Sequence, residues 1–304
     1  MFKDEKYVSA GGLRMFKRIL YPTDFSEYAE KLAEALDELK KVGLREVVLV
    51  HVVDIRTAGG MVRQFKKHAM EKLGKLREKL ESKGLNVKTR VPLGIPFLEI
   101  VELAQREKVS MILMGSHGKG FVKQMVLGST SDNVLRNAPV PLLIVRLKMV
   151  GIPSKPGKFM YQKMLRKILY PTDFSDCAWK ALKYVKELGE AGAKDAIIMH
   201  VQDVRKRVPE IMEKLNEYDR VDNETLNKIK GELETTGMPV KTLLVEGIPF
   251  VEINRVAEKE NASLIVMGSH GRSMVKEMLL GSVCGKVVRR TTKPVLVIRR
   301  DMLE

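Results

Sequence analysis

The chain of 304 residues, 44% hydrophobic and 30% charged, has the composition of a soluble globular protein with room for about two domains of roughly 150 residues. No apolar run approaches the roughly 20 residues of a membrane span and no secretory signal is read, so neither a membrane anchor nor export is expected. Two cysteines without a CxxC spacing or a His partner argue against structural zinc and fit a reducing cytoplasm. The formal charge of +16 raises the question of nucleic acid, but the basic residues alternate with Glu in stretches such as Glu71–Lys83, and aromatics make up only 6%. That is the pattern of solvated helix faces with little material for stacking bases.

Residues 1–14 mix Lys, Asp and Glu around a Gly pair and read as a leader outside the fold. Beyond them the apolar period alternates between strand and helix. Strands are expected at Phe16–Tyr21, Glu46–Val52, near Val87–Val91, at Ser110–Met114 and at Leu142–Arg146. Helices are expected at Ser26–Val42, roughly Gly60–Ser82, about Phe97–Lys108 and from near Ser129. Val150–Gly157 (VGIPSKPG) then concentrates linker residues, after which the same order runs again from Lys167 to Arg299.

The second run is a copy of the first. KRILYPTDFS at Lys17–Ser26 recurs as RKILYPTDFS at Arg166–Ser175, which sets Pro22 on Pro171, an offset of 149. GIPF at Gly94 and GSHG at Gly115 recur at Gly247 and Gly268, an offset of 153, so the second copy carries a net four-residue insertion between its second strand and the GIPF turn. The expected organisation is a leader (1–14), a first domain (15–149), a linker (150–163) and a second domain (164–304). Val-, Ile- and Leu-rich strands alternating with helices imply a doubly wound α/β domain in each copy, with a five-stranded, mainly parallel sheet covered on both faces.

Such sheets bind ligands beyond the carboxyl ends of their strands, where strand order reverses. The loops leaving the first and fourth strands carry Pro22-Thr23-Asp24 and Gly115-Ser116-His117-Gly118. The second loop continues as Gly115-x2-Gly118-x9-Gly128-Ser129, and the same spacing recurs as Gly268-x2-Gly271-x9-Gly281-Ser282. Glycines let consecutive amides approach an anion, and a Gly-Ser pair at a helix start leaves free N–H groups for a phosphate. The pattern is neither a Walker loop, since Lys119 precedes Gly120, nor GxGxxG after the first strand. Alternative roles stay open: Asp24 and Asp173 could cap helices, directly or beside Ser26 and Ser175. His51 and His200 read as satisfied core histidines. His117, His270, Lys119 and Arg272 divide between phosphate contact and surface filler.

The YPTDFS strand exit, the HV[VQ]D exit and the glycine spacing together resemble the ATP-binding branch of the universal stress protein family, over nearly the whole chain, twice. The resemblance implies a Rossmann-like fold of the adenine nucleotide alpha hydrolase type, and ATP or AMP as ligand, with Mg2+ accompanying ATP. It implies that Asp24 and Val52 hold the adenosine end with Pro22 lining the pocket, and that Met114, Gly115, Gly118, Gly128, Ser129 and Thr130 surround ribose and phosphates. The matching positions in the second copy are Pro171, Asp173, Val201, Met267, Gly268, Gly271, Gly281, Ser282 and Val283. Two departures, Thr130 to Val283 and Lys119-Gly120 to Arg272-Ser273, put the hold on the outer phosphates of the second site in question.

No nucleophile, base and orienting acid assemble from these motifs, so the expected role is a cytoplasmic stress or signalling protein with one nucleotide site per domain. Slow ATP hydrolysis or adenylyl transfer is the alternative from the enzyme class, and a basic scaffold with empty pockets is a third. In the strand order that the resemblance implies, each copy ends in an apolar edge strand, LLIVR or VLVIR, which calls for cover. The two copies are therefore expected to form an intramolecular pseudo-dimer through Leu142–Arg146 and Val295–Arg299, with further pairing of two chains left open.

Overall fold

The computed structural model describes residues 16–116, 127–150, 158–160, 163–206, 215–272 and 280–300. The expected leader lies outside them. In the first half the sheet strands are β1 (Arg18–Pro22), β2 (Glu46–Val50), β4 (Asn86–Arg90), β6 (Met111–Gly115) and β7 (Leu142–Val145), with β3 (Val53–Asp54) and β5 (Leu93–Gly94) forming a two-residue extension. A short antiparallel ladder, β8 (Lys148–Val150) with β9 (Lys158–Met160), puts strand residues inside the stretch 150–163 that was expected to be linker. The second half supplies β10 (Lys167–Thr172), β11 (Asp195–Asp203), β12 (Val240–Gly247), β13 (Leu264–Gly268) and β14 (Val295–Ile298).

All ten long strands belong to one sheet, in the order β12-β11-β10-β13-β14-β7-β6-β1-β2-β4. Within each half the five strands are parallel, and the order reverses on either side of the first strand, the doubly wound arrangement expected. Their near-continuous apolar sequences follow from burial on both faces: Val47, Val48, Leu49 and Val50 are all fully buried. Each face carries one apolar layer that runs through both halves, so the core does not stop at the domain junction.

The halves meet where β7 and β14 pair antiparallel, with Val295 opposite Ile144, Leu296 opposite Leu143 and Val297 opposite Leu142. Leu143 and Leu296 are equivalent positions of the duplication, so a pseudo-twofold axis passes between them and the contact is isologous. The same symmetry governs two arginines. Arg146 donates to the carbonyls of Val288 (2.8 Å) and Arg289 (3.3 Å), and its counterpart Arg299 donates to those of Leu135 and Arg136 (both 3.2 Å). Each guanidinium thus closes the last turn of a helix of the other domain, Ser282–Arg290 or Ser129–Asn137, where orphan carbonyls and the negative end of the dipole favour a cation. Each apolar edge strand covers the other, which removes the exposed edges that the pseudo-dimer was expected to hide.

Two expected elements differ. The helix read over Ser26–Val42 is two pieces, Glu27–Leu32 and Ala35–Lys41, joined by tighter bonds in which Ala33 and Glu34 donate to the carbonyls three residues back. The strand read to Val52 stops at Val50 in the first half, whereas its counterpart β11 runs unbroken to Asp203. The neighbouring strand explains this. Pro92 has no N–H to give to the ladder, so β4 and β5 separate around it; Val245 stands at that position in the second half and β12 is continuous. The four-residue insertion falls between Asp203 and the helix Leu215–Glu234.

Candidate functional site

At the strand-order reversal of each half the carboxyl ends of the strands open into a cleft, of about 810 Å³ in the first half and about 340 Å³ in the second. Both lie within the range of small-molecule sites. The strand exit YPTDFS builds the floor. Tyr21 and Tyr170 are fully buried and donate their hydroxyls to the carbonyls of Ala29 and Ala178, pinning the next helix to the strand end. Burial pushes both phenols up, so they stay neutral donors. Thr23 Oγ1 and Thr172 Oγ1 accept from the amides of Phe25 (3.1 Å) and Phe174 (3.0 Å), which take the left-handed conformation at φ +59°.

Asp24 Oδ1 accepts from both the amide and the hydroxyl of Ser26, at 3.0 and 2.6 Å, while Ser26 accepts from the amide of Ala29 as the helix cap. Asp173 holds Ser175 in the same way. The serines are thus the caps, and each aspartate stands behind its cap at the edge of the cleft. Asp173 Oδ2 also accepts from the amide of Arg272 at 3.0 Å, tying the first-strand loop to the glycine loop. A Cβ on Gly271 would come within 2.3 Å of that oxygen, which is the local reason for glycine there.

His51 Nδ1 lies 2.8 Å from the Thr23 carbonyl and His200 Nδ1 2.8 Å from that of Thr172; a carbonyl only accepts, so Nδ1 carries the proton in each ring. The rings stack on Phe25 and Phe174 at 4.3 and 4.5 Å. These phenylalanines were not singled out in the sequence. Their signal was the joint recurrence of Phe in TDFS and His in HV[VQ]D.

Each cleft is also lined by the start of a helix, at Gly128-Ser129 or Gly281-Ser282, and neither start has a side-chain cap. Gly128 and Gly281 donate to the carbonyls of Ser116 and Ser269, both at 2.8 Å, which turns each helix start back onto the fourth strand. A Cβ on Gly281 would meet the Ser269 carbonyl oxygen at 2.9 Å. Every expected position that falls among the described residues lines its cleft: Pro22, Asp24, Val52, Met114, Gly115, Gly128, Ser129 and Thr130 in the first, and the nine matching residues in the second. Gly118, His117 and Lys119 lie outside the described residues, as does Ser273.

Sequence reasoning did not include a third wall. In the first cleft the helix Val62–Glu81 contributes Phe65, His68, Ala69 and Lys72, spaced three and four apart on one face. Lys72 Nζ lies 5.3 Å from the centroid of the Phe25 ring. In the second, Gln202 lines the cleft and donates its amide to Asp219 (2.8 Å) and Asp222 (3.0 Å) of the helix Leu215–Glu234. Cys177 and Cys284 are buried and unpaired, and burial pushes the Cys284 thiol up to about 12, far from a reactive thiolate. Among the described residues no helix is long and apolar enough to cross a membrane.

Fold and clefts define a tandem pair of doubly wound α/β domains, each with a ligand-sized opening at its switch point. The universal stress protein family matches residues 15–146 and again 164–299, and the chain belongs to that family. One half is 42% identical over 156 residues to the universal stress protein MJ0577 of Methanocaldococcus jannaschii, which covers 45% of this chain and 96% of that protein. Slr1230 of Synechocystis, a universal stress protein, aligns over 93% of the chain and 89% of its own length at 24% identity. The crystal structure of a universal stress protein from Archaeoglobus fulgidus superposes with a TM-score of 0.71 at 29% identity, covering 94% of this chain and 97% of that one.

Proposed function

We propose that the chain is an adenine-nucleotide-binding universal stress protein with one ATP or AMP site per domain, and that occupancy of these sites sets its conformation or its association with partners. The observation that carries this reading is the same in both halves: an uncapped helix start, at Ser129 or Ser282, opens onto a cleft that Pro22, Asp24 and Val52 or their counterparts also line. Free amides at a helix N-terminus suit phosphate, and the apolar strand exit suits a base. The glycine spacing that resembles the ATP-binding branch of the family supports the choice of adenine nucleotide. A Mg2+ ion accompanying ATP belongs to the same proposal and rests on phosphate oxygens and water, since among the described residues no group of three or more His, Cys, Asp or Glu is placed to hold a metal.

Ser129 and Ser282 are exposed at the first helical position. Glutamate there suits the helix dipole while setting a carboxylate where the phosphate would rest. Calorimetry with ATP and AMP is expected to show one nucleotide per domain in the natural chain, and none in the Ser129→Glu, Ser282→Glu double variant, with an unchanged melting curve. Undiminished binding in that variant would remove the helix starts from the site. Acid extraction of the purified protein identifies any nucleotide it retains.

A further inference from the structure

Each cleft holds a cation on the face of its floor phenylalanine, and the two cations come from different elements. In the first cleft Lys72 of the helix Val62–Glu81 stands over Phe25, with Nζ 5.3 Å from the ring centroid. In the second the guanidinium carbon of Arg272, on the loop that leaves β13, lies 5.6 Å from the centroid of Phe174. Phe25 and Phe174 are equivalent positions of the duplication, but the cations are not: Lys72 aligns with Thr225, and Arg272 with Lys119. The second helix has no lysine at this position, yet the ring keeps a cation. Both cations are exposed and line their clefts, and neither side chain has a hydrogen bond or ion pair among the described residues. Arg205, the other guanidinium of the second cleft, is neutralised by Asp203, whose two carboxylate oxygens accept from its Nε at 2.8 Å and its Nη2 at 2.6 Å. The main chain of Arg272 is tied to the first-strand loop through its amide, 3.0 Å from Asp173 Oδ2, so the side chain starts from a fixed point of the cleft wall.

Resting on the nucleotide reading above, we infer that Lys72 in the first cleft and Arg272 in the second recognise the phosphate of the bound nucleotide, each resting on its phenylalanine until the anion arrives. The face of a ring holds an exposed cation only weakly, and a charge-assisted hydrogen bond to a phosphate oxygen is stronger, so the anion draws the cation off the ring. Both clefts then select a nucleotide with at least one phosphate over the bare nucleoside. The grips differ in kind. A planar guanidinium offers parallel N–H donors to two phosphate oxygens, whereas an ammonium acts as a point charge. In the second half the gripping residue also belongs to the loop that Asp173 holds, which links the phosphate to the first-strand exit.

The test isolates each cleft in the full chain, the first with Ser282→Glu and the second with Ser129→Glu, and titrates ATP, AMP and adenosine by calorimetry at two salt concentrations. Lys72→Gln in the first cleft and Arg272→Gln in the second should each weaken AMP and ATP about tenfold and leave adenosine within about twofold. Arg272→Lys should recover part of the lost affinity. Raised salt should narrow the gap between variant and parent for AMP without moving adenosine. Both side chains are exposed, so the melting curves are expected to stay unchanged. Undiminished AMP and ATP affinity in either variant, or an adenosine loss as large as the AMP loss, overturns the phosphate role and leaves nucleotide binding standing. Failure of every nucleotide to bind the natural chain overturns both.

Discussion

The two halves agree most closely in the strand exits that line their clefts and far less in the long helices Val62–Glu81 and Leu215–Glu234 beside them. At the junction each residue meets its own counterpart or a neighbour of it: Leu143 meets Leu296, and Arg146 and Arg299 close one another's helices. A change there alters both sides of one interface. Away from the junction, Ala69 and Lys72 of the first cleft stand where the second half has Asp222 and Thr225, neither of which lines the second cleft, so a change there alters one half without touching the other. In a symmetric dimer of separate chains every substitution appears twice; fusion lets one copy change alone while an effective concentration in the roughly millimolar range keeps the halves together.

The strongest way to break the comparison is on the axis itself. Leu143 and Leu296 are 2% and 1% exposed, so Leu143→Asp places a carboxylate in an apolar layer shared by both halves. A loss of about 4 kcal/mol or more is expected, and Leu296→Asp should match it within about 0.5 kcal/mol, both read by urea denaturation. A loss under about 1 kcal/mol in either would show that the domains stand independently of β7 and β14.

Much of this junction was readable beforehand, because two apolar terminal strands at sheet edges need cover. The duplication, the parallel strands and the glycine-flanked helix starts were readable for similar reasons: each is a local requirement written in a short segment. Two kinds of feature were not. Pro92 was visible as a residue, but that it divides β4 from β5, and so ends β2 at Val50, depends on which strand lies beside it. The helix wall of the first cleft was read as a solvated face, which it is over most of its circumference; that Phe65, His68 and Lys72 border the cleft depends on how the helix is rotated against β2 and β4. The tightened turn at Ala33-Glu34 has no Gly or Pro to announce it.

A smaller effect sharpens the symmetry at the junction. Arg146→Met and Arg299→Met keep most of the aliphatic packing and remove matched pairs of charge-assisted hydrogen bonds, so each should cost about 2 kcal/mol. The match is broken at one residue. Asp132 takes Arg289 of the other domain at 2.6 Å and Arg136 of its own helix at 3.1 Å, whereas Gly285 stands at the equivalent position and offers no carboxylate. Asp132→Asn should therefore cost about 1 kcal/mol on one side only. Burial pushes this carboxyl up, but Arg289 and Arg136 outweigh it and hold it below its ordinary value. A depressed acid stabilises the fold above its unfolded pKa of about 4 and loses that contribution as pH falls through the folded value, so variant and natural chain should converge in acid. An Asp132→Asn penalty that persists at low pH would mean that charge is not its source.

The smallest expected effect has the opposite sign and concerns two equivalent glutamates. Glu38 is buried against the entry to the second domain and accepts from the amides of Met164 (2.7 Å) and Leu165 (3.4 Å). Its counterpart Glu187 has an Oε2 that is buried with no hydrogen-bond partner among the described residues. Burial, and the charge of Glu190 after it, push Glu187 up to about 7. The folded chain then holds a proton that the unfolded chain, with an ordinary value near 4.5, has released, so stability falls as pH rises from about 4.5 to about 7 and stays lower above that. Glutamine removes the charge and the dependence with it. Because Glu187 is partly open to solvent, screening leaves about 1 kcal/mol or less of the nominal shift, and Glu187→Gln should stabilise the protein by that amount at pH 8 while matching the natural chain at pH 4.5. Glu38→Gln, which exchanges a charged acceptor for a neutral one at two buried amides, should instead cost about 1 kcal/mol at pH 8. Thermal melts of both variants at the two pH values decide it: changes of the same sign at pH 8 would show that the two glutamates, placed alike by duplication, have not been driven apart by their surroundings.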